Sequence, residues 1–189
     1  MPVSVINGVR LYSEWCGESG ASVVLVHGSW GDHHNWDAVV PKLARTFQVL
    51  TYDRRGHSQS QRLVTQGSVE EDVADLAALI TATNLVPVHV VGTSFGALIA
   101  LKLAAARPDL FASLMVHEPP LIGLLDNNPA LPSVEQRIGA VLQRFDRARQ
   151  SWGRSSLLKP LDLVPACGSG FRPRCGRHLC STHRRGSMR

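Results

Sequence analysis

Short apolar runs alternate with longer amphipathic or polar stretches through most of the chain, a pattern typical of strands alternating with helices. The runs are rich in Val, Leu and Ile, and turn-forming residues separate them. Asn7-Gly8 lies between the first two runs and favours a two-residue hairpin turn. The predicted strands are Val3–Ile6, Val9–Trp15, Val23–Val26, Phe47–Tyr52, Val88–Val91 and Leu110–His117.

Three segments between these strands are predicted to be helical: a stretch near Trp36–Thr46, one that opens at Ser68, and Ala97–Ala106. Ser68 and Glu71 have the spacing of a capping box. The apolar face of the helix that follows is predicted at Val69, Val73, Leu76, Ala77 and Ile80. Because continuous apolar strands joined by helices favour a parallel sheet covered on both faces, we predict an α/β fold with an antiparallel hairpin at one edge.

The pattern changes twice after residue 120. Residues 121–150 have a helical pattern without further strands, and their apolar face is predicted at Val134, Ile138, Val141, Leu142 and Phe145. From residue 151 the periodicity fades, and Gly, Arg, Cys and Pro predominate. We therefore expect three regions: a core over 1–120, a helical segment over 121–150 and a disordered tail over 151–189.

Charge sharpens the boundary at residue 150. The chain of 189 residues has a net charge of +5, which alone suggests an anionic partner. Residues 1–150 hold 12 Lys/Arg and 14 Asp/Glu, whereas residues 151–189 hold 8 Lys/Arg and the single acid Asp162. Cys167, Cys175 and Cys180 also lie in this tail. Residues 1–150 contain a single cysteine, and the sequence shows no export signal and no apolar run of the roughly 20 residues that span a bilayer. We therefore expect a cytoplasmic protein without a membrane partner.

One motif carries chemistry. Gly92-Thr93-Ser94-Phe95-Gly96 fits the pattern G-x-S-x-G and lies where a predicted strand becomes a helix. A serine on such a sharp turn has its hydroxyl lifted above the sheet, and the small neighbours allow the strained backbone. The helix N-terminus behind it favours developing negative charge. Ser94 is therefore the candidate nucleophile; an ordinary tight turn with an incidental serine is the alternative.

Two further strand ends support this site. The segment from His27 to Gly31 ends the third strand in a glycine-bearing loop, which can aim a backbone N–H at the space above the sheet. An oxyanion hole needs two such donors, and we predict the amides of Ser29 and Phe95. The segment Asp53–Ser58 ends the next strand and is expected to stabilise the neighbouring loops.

Together these motifs resemble the α/β-hydrolase superfamily, in its branch of esterases, lactonases and cofactor-free haloperoxidase-like enzymes. The resemblance covers about residues 3–150 and implies an eight-stranded, mostly parallel sheet with a Ser–acid–His triad. It also implies hydrolysis of a small ester, thioester or lactone through an acyl-enzyme, without cofactor or metal. Ser94 argues against the epoxide hydrolase and dehalogenase members, which use a carboxylate there. Residues 121–150 resemble the start of the family's cap.

The last strands of the family pattern, which carry the triad acid and histidine, have no counterpart in the 39 residues after Gln150. Asp162 comes too early for the acid, and His178 and His183 lie in an unsuitable Arg/Gly/Cys context. Glu118 remains open as a surrogate acid. One allowed coding string for residues 180–189 gives Phe-His-Ala-Pro-Thr-Trp-Leu-Asp-Glu in a shifted frame, which resembles a cap segment. We therefore expect an incomplete fold, truncated or frameshifted, with impaired catalysis.

Other readings of the tail stay open. Cys175, His178, Cys180 and His183 offer four zinc ligands, but their spacing is not that of a structural zinc site. The arginines of the tail suit a nucleic acid or an anionic surface, so the alternative function is a catalytically inactive binding module, although nucleic acid binding is not expected. Without further strands, the strand Leu110–His117 is an exposed apolar edge, and we expect it to favour a homo-oligomer.

Overall fold

A computed structural model describes residues 3–63, 67–125, 128–140 and 143. Contacts divide the chain into two units, with residues 3–120 in the first and residues 121–143 in the second. The division of the chain into a core, a helical segment and a tail stays a prediction, and the predicted tail over 151–189 lies outside the described residues.

The first unit contains one six-stranded sheet in the order β1-β2-β4-β3-β5-β6. Strands β3 to β6 pair in parallel, whereas β1 and β2 form the antiparallel hairpin at one edge. The strands are β1 Val3–Ile6, β2 Val9–Cys16, β3 Ser22–Val26, β4 Gln48–Tyr52, β5 Val88–Thr93 and β6 Phe111–His117. The predicted mostly parallel α/β sheet is confirmed, and these six strands correspond to the first six of the eight that the resemblance implies.

Helices cover both faces of the sheet. Helices α2 (Val69–Ala82) and α3 (Phe95–Ala106) pack on one face, where Val24, Leu50 and Val90 lie in the larger apolar cluster. The short helix α1 (Val40–Leu43) covers the other face, against Val23, Leu25 and Val49. The capping box at Ser68 forms as predicted, since its side chain accepts from the Glu71 amide and Glu71 bonds the Ser68 amide.

The predicted helix near Trp36–Thr46 is too long. The Asp32 side chain caps a separate 3₁₀ turn at His33–Trp36. The α-helix itself begins only at Val40 and ends at Leu43. In the second unit, Ile122–Leu125 forms a 3₁₀ turn and residues 131–140 are helical, which agrees with the helical pattern of residues 121–150 where they are described. Within the described residues, no helix is long and apolar enough to cross a membrane.

Candidate active site

Ser94 occupies the one-residue turn between β5 and α3, as the sequence motif predicts. Its backbone has φ 51° and ψ −123°, in the left-handed region that a side chain rarely adopts, so the turn is strained. The residue is exposed and its side chain does not cap α3. The hydroxyl therefore faces solvent at the carboxyl end of the sheet, where a ligand can approach it.

Three glycines allow this turn. A Cβ on Gly92 would lie 2.7 Å from the Ala97 Cα, and one on Gly96 would lie 2.3 Å from the Val26 carbonyl oxygen. A Cβ on Gly28 would lie 3.0 Å from the Ser94 Cβ and 3.5 Å from its Oγ. The spacing G-x-S-x-G thus reflects close approach of α3 to β3 and β5, and Gly28 brings the next loop against the candidate nucleophile.

The end of β6 is joined to the turn through the backbone. The Ser94 amide donates to the His117 carbonyl at 2.8 Å, and His117 Nδ1 lies 3.5 Å from Thr93 Oγ1. Glu118, the surrogate acid left open by the sequence, follows with φ 51° and an exposed side chain 3.9 Å from His117 Nδ1. His117 and Glu118 lie beside the turn at Ser94, but the Ser94 hydroxyl bonds neither of them.

None of the histidines in the described part of the chain bonds Ser94. Each one has another partner: His27 with Gly28 and Arg54, His33 with Asp53, His34 with Asp37, His57 with Arg55, His89 with Ser113, and His117 with Thr93 and Glu118. His178 and His183 lie outside the described residues. Within residues 3–143 as described, the arrangement thus supplies a strained exposed serine without a paired base.

Asp53 fixes the loop that carries the predicted donor Ser29. One carboxylate oxygen accepts the His33 amide at 2.8 Å and His33 Nδ1 at 2.7 Å, and the other accepts the Gln59 amide at 2.9 Å. Both side chains of the Asp53–His33 pair are buried. Asp53 thus ties the loop after β3 to the loop after β4, and the prediction that its segment stabilises neighbouring loops is confirmed.

Asp32, His33 and Asp53 also present ligand atoms within 4.8 Å of one another. Both oxygens of the Asp53 carboxylate, however, already accept hydrogen bonds from protein donors.

His27 connects the same two loops from the interior. Its ring is fully buried; Nδ1 lies 2.8 Å from the Gly28 carbonyl and Nε2 accepts the Arg54 amide at 3.0 Å. Because Nε2 is an acceptor, the proton of the neutral ring is on Nδ1 and is donated to Gly28. Burial lowers the pKa of His27 to about 4, so the ring is neutral at neutral pH.

A model of the α/β hydrolase fold family matches residues 21–157, which include β3, the turn at Ser94 and β6. The chain belongs to the α/β-hydrolase fold family. The match ends at residue 157, seven residues beyond the predicted boundary at residue 150.

Individual members of the family are similar over part of their length. An uncharacterised hydrolase of Bacillus subtilis, YraK, is 38% identical over 58% of this chain and 41% of its own. A non-heme chloroperoxidase of Streptomyces lividans is 32% identical over 89% of this chain and 60% of its own. The enol-lactonase of Burkholderia xenovorans LB400 has 28% identity and a TM-score of 0.57, covering 60% of this chain and 45% of that one. The chain spans about two fifths to three fifths of these proteins.

Two buried arginines of this α/β-hydrolase chain were missed by the sequence analysis. Arg54 donates from Nε and Nη2 to both oxygens of Asp72, at 3.2 and 3.1 Å. Arg55 donates to both oxygens of Asp75, at 2.7 and 2.8 Å, and also bonds Glu71. Both aspartates are buried on α2 with Leu76 and Leu79, outside the apolar face that the sequence predicts for this helix. A buried carboxylate needs a partner of opposite charge, which the two arginines supply.

Proposed function

We propose that Ser94 is the nucleophile of a hydrolase that acts on a small ester, thioester or lactone. The observation that carries the proposal is the strained, exposed Ser94 at the start of α3, with φ 51°. Strained residues of this kind cluster at active sites, and here the strain falls at the strand-to-helix turn of a G-x-S-x-G motif, which holds the hydroxyl above the sheet. The enol-lactonase among the similar structures supports a carbonyl compound of this class.

In this mechanism the Ser94 hydroxyl loses its proton to a base and its oxygen attacks the carbonyl carbon. The negative charge that develops on the carbonyl oxygen is stabilised by the amides of Phe95 and Ser29. The alcohol, thiol or ring oxygen leaves with a proton, and water then attacks the acyl group and releases the acid. An epoxide hydrolase or dehalogenase of this fold needs a carboxylate where Ser94 stands.

Since no described histidine bonds Ser94, we propose that the 189-residue chain turns over slowly. In a serine protease, loss of triad members leaves a residual acceleration of about 10³–10⁴ over water, from the oxyanion hole and substrate binding. A residual rate of this kind is measurable with a reactive ester, but it does not depend on the serine, because removing the serine alone costs about as much as removing the whole triad. The nucleophile is therefore identified by the acyl group that it carries.

The test compares two serines that share an unusual backbone. Ser94 has φ 51° and Ser58 has φ 38°, and both are exposed. After treatment of the full chain with p-nitrophenyl acetate, we expect peptide mass spectrometry to find an acetyl group on Ser94, to find none at residue 94 in Ser94→Ala, and to find it again in Ser58→Ala. Equal acetylation of the peptide that contains residue 94 in the two variants would rule out Ser94 as the nucleophile. A γ-lactone measured alongside the ester then separates the two substrate classes.

The charge of residues 151–189 supports a second candidate, an inactive module that binds an anionic polymer. Its 8 Lys/Arg against one acid would release counterions from a nucleic acid, so that binding weakens with salt. Retention of the chain on immobilised DNA that is lost when residues 151–189 are deleted would favour this candidate. The hydrolase proposal expects no such retention.

A further inference from the structure

Arg54 is a buried cation close to the two amides that we propose for the oxyanion hole, those of Ser29 and Phe95. Arg54 is 5% exposed, and Asp72 holds it through two hydrogen bonds. Its remaining nitrogen, Nη1, donates to the Gly28 carbonyl at 3.2 Å, and its central carbon lies 4.9 Å from the centre of the Phe95 ring. One buried cation therefore contacts the residue before Ser29 and also Phe95.

The contact at Gly28 acts on the amide of Ser29. The Gly28 carbonyl and the Ser29 N–H belong to one planar peptide group, in which C=O and N–H point in opposite directions. Two donors hold this carbonyl, Arg54 Nη1 and His27 Nδ1. Fixing the carbonyl fixes the direction of the N–H on the other side of the plane, and a charged donor also polarises the peptide, which makes that N–H a stronger donor.

The contact at Phe95 acts on the second amide. Phe95 is the first residue of α3, so its backbone N–H has no partner within the helix and is available to a ligand. The partly buried ring packs under the Arg54 guanidinium, an arrangement that attracts the cation to the ring face. Because Phe95 directly follows the strained residue Ser94, we expect the contact of its ring with Arg54 to restrict its backbone amide as well.

We propose that Arg54 is a positioning residue that orients the amides of Ser29 and Phe95, and that Asp72 holds Arg54 in place for this role. The inference rests on the proposed function of Ser94 for its catalytic meaning. The neighbouring pair of Arg55 and Asp75 gives a matched comparison. It is also buried and bidentate, and Asp75 lies on α2 as Asp72 does. The described hydrogen bonds of the Arg55 side chain are to α2, at Asp75 and Glu71, and include neither Gly28 nor Phe95.

The experiment removes each pair as a unit, so that no buried carboxylate is left unpaired. The double variants are Arg54→Met with Asp72→Leu, and Arg55→Met with Asp75→Leu, each in the full chain. Backbone amide resonances are recorded by ¹⁵N–¹H NMR. We expect the Ser29 and Phe95 amide protons to move upfield or broaden in the Arg54 variant and to keep their positions in the Arg55 variant. Unchanged resonances in the Arg54 variant, or equal changes in both, would overturn the proposal.

A second pair of variants keeps the test decisive if the Arg54 double variant does not fold. Arg54→Lys retains the charge without the fork that bonds Asp72, and Phe95→Leu removes the ring while Arg54 and Asp72 remain. In Arg54→Lys we expect both amides to shift, and in Phe95→Leu the amide of residue 95 to shift more than that of Ser29. A Ser29 resonance that stays fixed in Arg54→Lys would contradict the proposal.

Ester hydrolysis supplies the functional readout. Because loss of one oxyanion-hole donor lowers kcat by about 10²–10³-fold, a misdirected donor pair is expected to lower the residual kcat at least tenfold with little change in KM. The Arg55 double variant should retain most of its kcat. If Ser94 takes up no acetyl group, the proposed function is wrong, while the amide resonances still decide whether Arg54 positions Ser29 and Phe95.

Discussion

The inner strand ends after β3 and β4 differ from the outer strand β6 in how their residues are held. His27 after β3, and Asp53 and Arg54 after β4, each bond groups from another loop or helix. On β6, Met115 is 66% exposed and Val116 36% exposed. The inner strand ends depend on backbone shape and paired charges, which tolerate little change. The outer strand presents apolar side chains, whose substitution should alter association more than folding.

The largest effect is expected from Gly96→Ala, which puts a Cβ 2.3 Å from the Val26 carbonyl oxygen and 2.4 Å from that of His27. Backbone atoms cannot yield as a flexible side chain can, so α3 must move away from β3. We expect a loss of about 4 kcal/mol in the free energy of unfolding, or no folded protein. Gly123→Ala is the control, since nothing lies within 4 Å of its Cβ position. Similar urea midpoints for the two variants would contradict the close packing at the inner strand ends.

Acid is expected to weaken the inner strand ends next. Burial lowers the pKa of His27 to about 4 from 6.5. Between these two pH values the histidine is therefore protonated in the unfolded chain and neutral in the folded protein. The contribution is present above pH 6.5 and is lost as the pH falls towards 4, by about 3 kcal/mol in total. Urea unfolding between pH 7 and 4.5 measures this slope.

The control for the acid effect is a second histidine. His34 is exposed and pairs with Asp37 on the surface, so His34→Gln should retain the pH slope. His27→Gln should reduce it. If the slope is the same in both variants, another group causes the loss of stability in acid.

A smaller effect, of opposite sign, is expected at Tyr52 beneath the inner strand ends. Its hydroxyl is buried and has no hydrogen-bond partner among the residues that the structure describes, and burial raises the pKa of the group. Tyr52→Phe removes an unsatisfied polar atom while keeping the ring, so we expect unchanged or higher stability, by up to about 1 kcal/mol. A loss of stability measured by thermal unfolding would show that the hydroxyl is bonded in solution.

The smallest effect on stability is expected at the outer strand. Met115→Lys should change the free energy of unfolding by less than about 0.5 kcal/mol, because the side chain is exposed. It should, however, weaken self-association, since a lysine on an edge strand opposes pairing with another chain. Val5→Lys on β1, 70% exposed at the opposite edge of the sheet, is the matched control. Sedimentation velocity that shows equal association for both variants would argue against β6 as the associating edge.

Much of the fold followed from local pattern. The apolar runs predicted all six described strands, and G-x-S-x-G located the strained turn at Ser94 because glycine spacing reports backbone crowding directly. The position of Asp53 was also informative, since a polar residue directly after a buried strand meets its neighbours at the sheet edge.

The charged interior could not be predicted in the same way. Periodicity assigns Asp72 and Asp75 to a solvent face, and their partners Arg54 and Arg55 lie 18 and 20 residues earlier, across a loop. Only tertiary contact selects which charges pair. The helix near Trp36–Thr46 was overestimated for a related reason: the Asp32 cap, a side-chain contact, decides where the helical turns begin.

The hydrogen bond from the Ser94 amide to the His117 carbonyl matters for protein engineering. A chimera that replaces the segment after β6 would have its junction at Glu118–Pro120. A junction that shifts residue 117 would release the Ser94 amide and change the shape of the turn, although the inserted segment is distant in sequence. Grafts that begin after Pro120 leave residues 94 and 117 in place and so keep this hydrogen bond. Donor segments can therefore be exchanged there without redesigning the turn at Ser94.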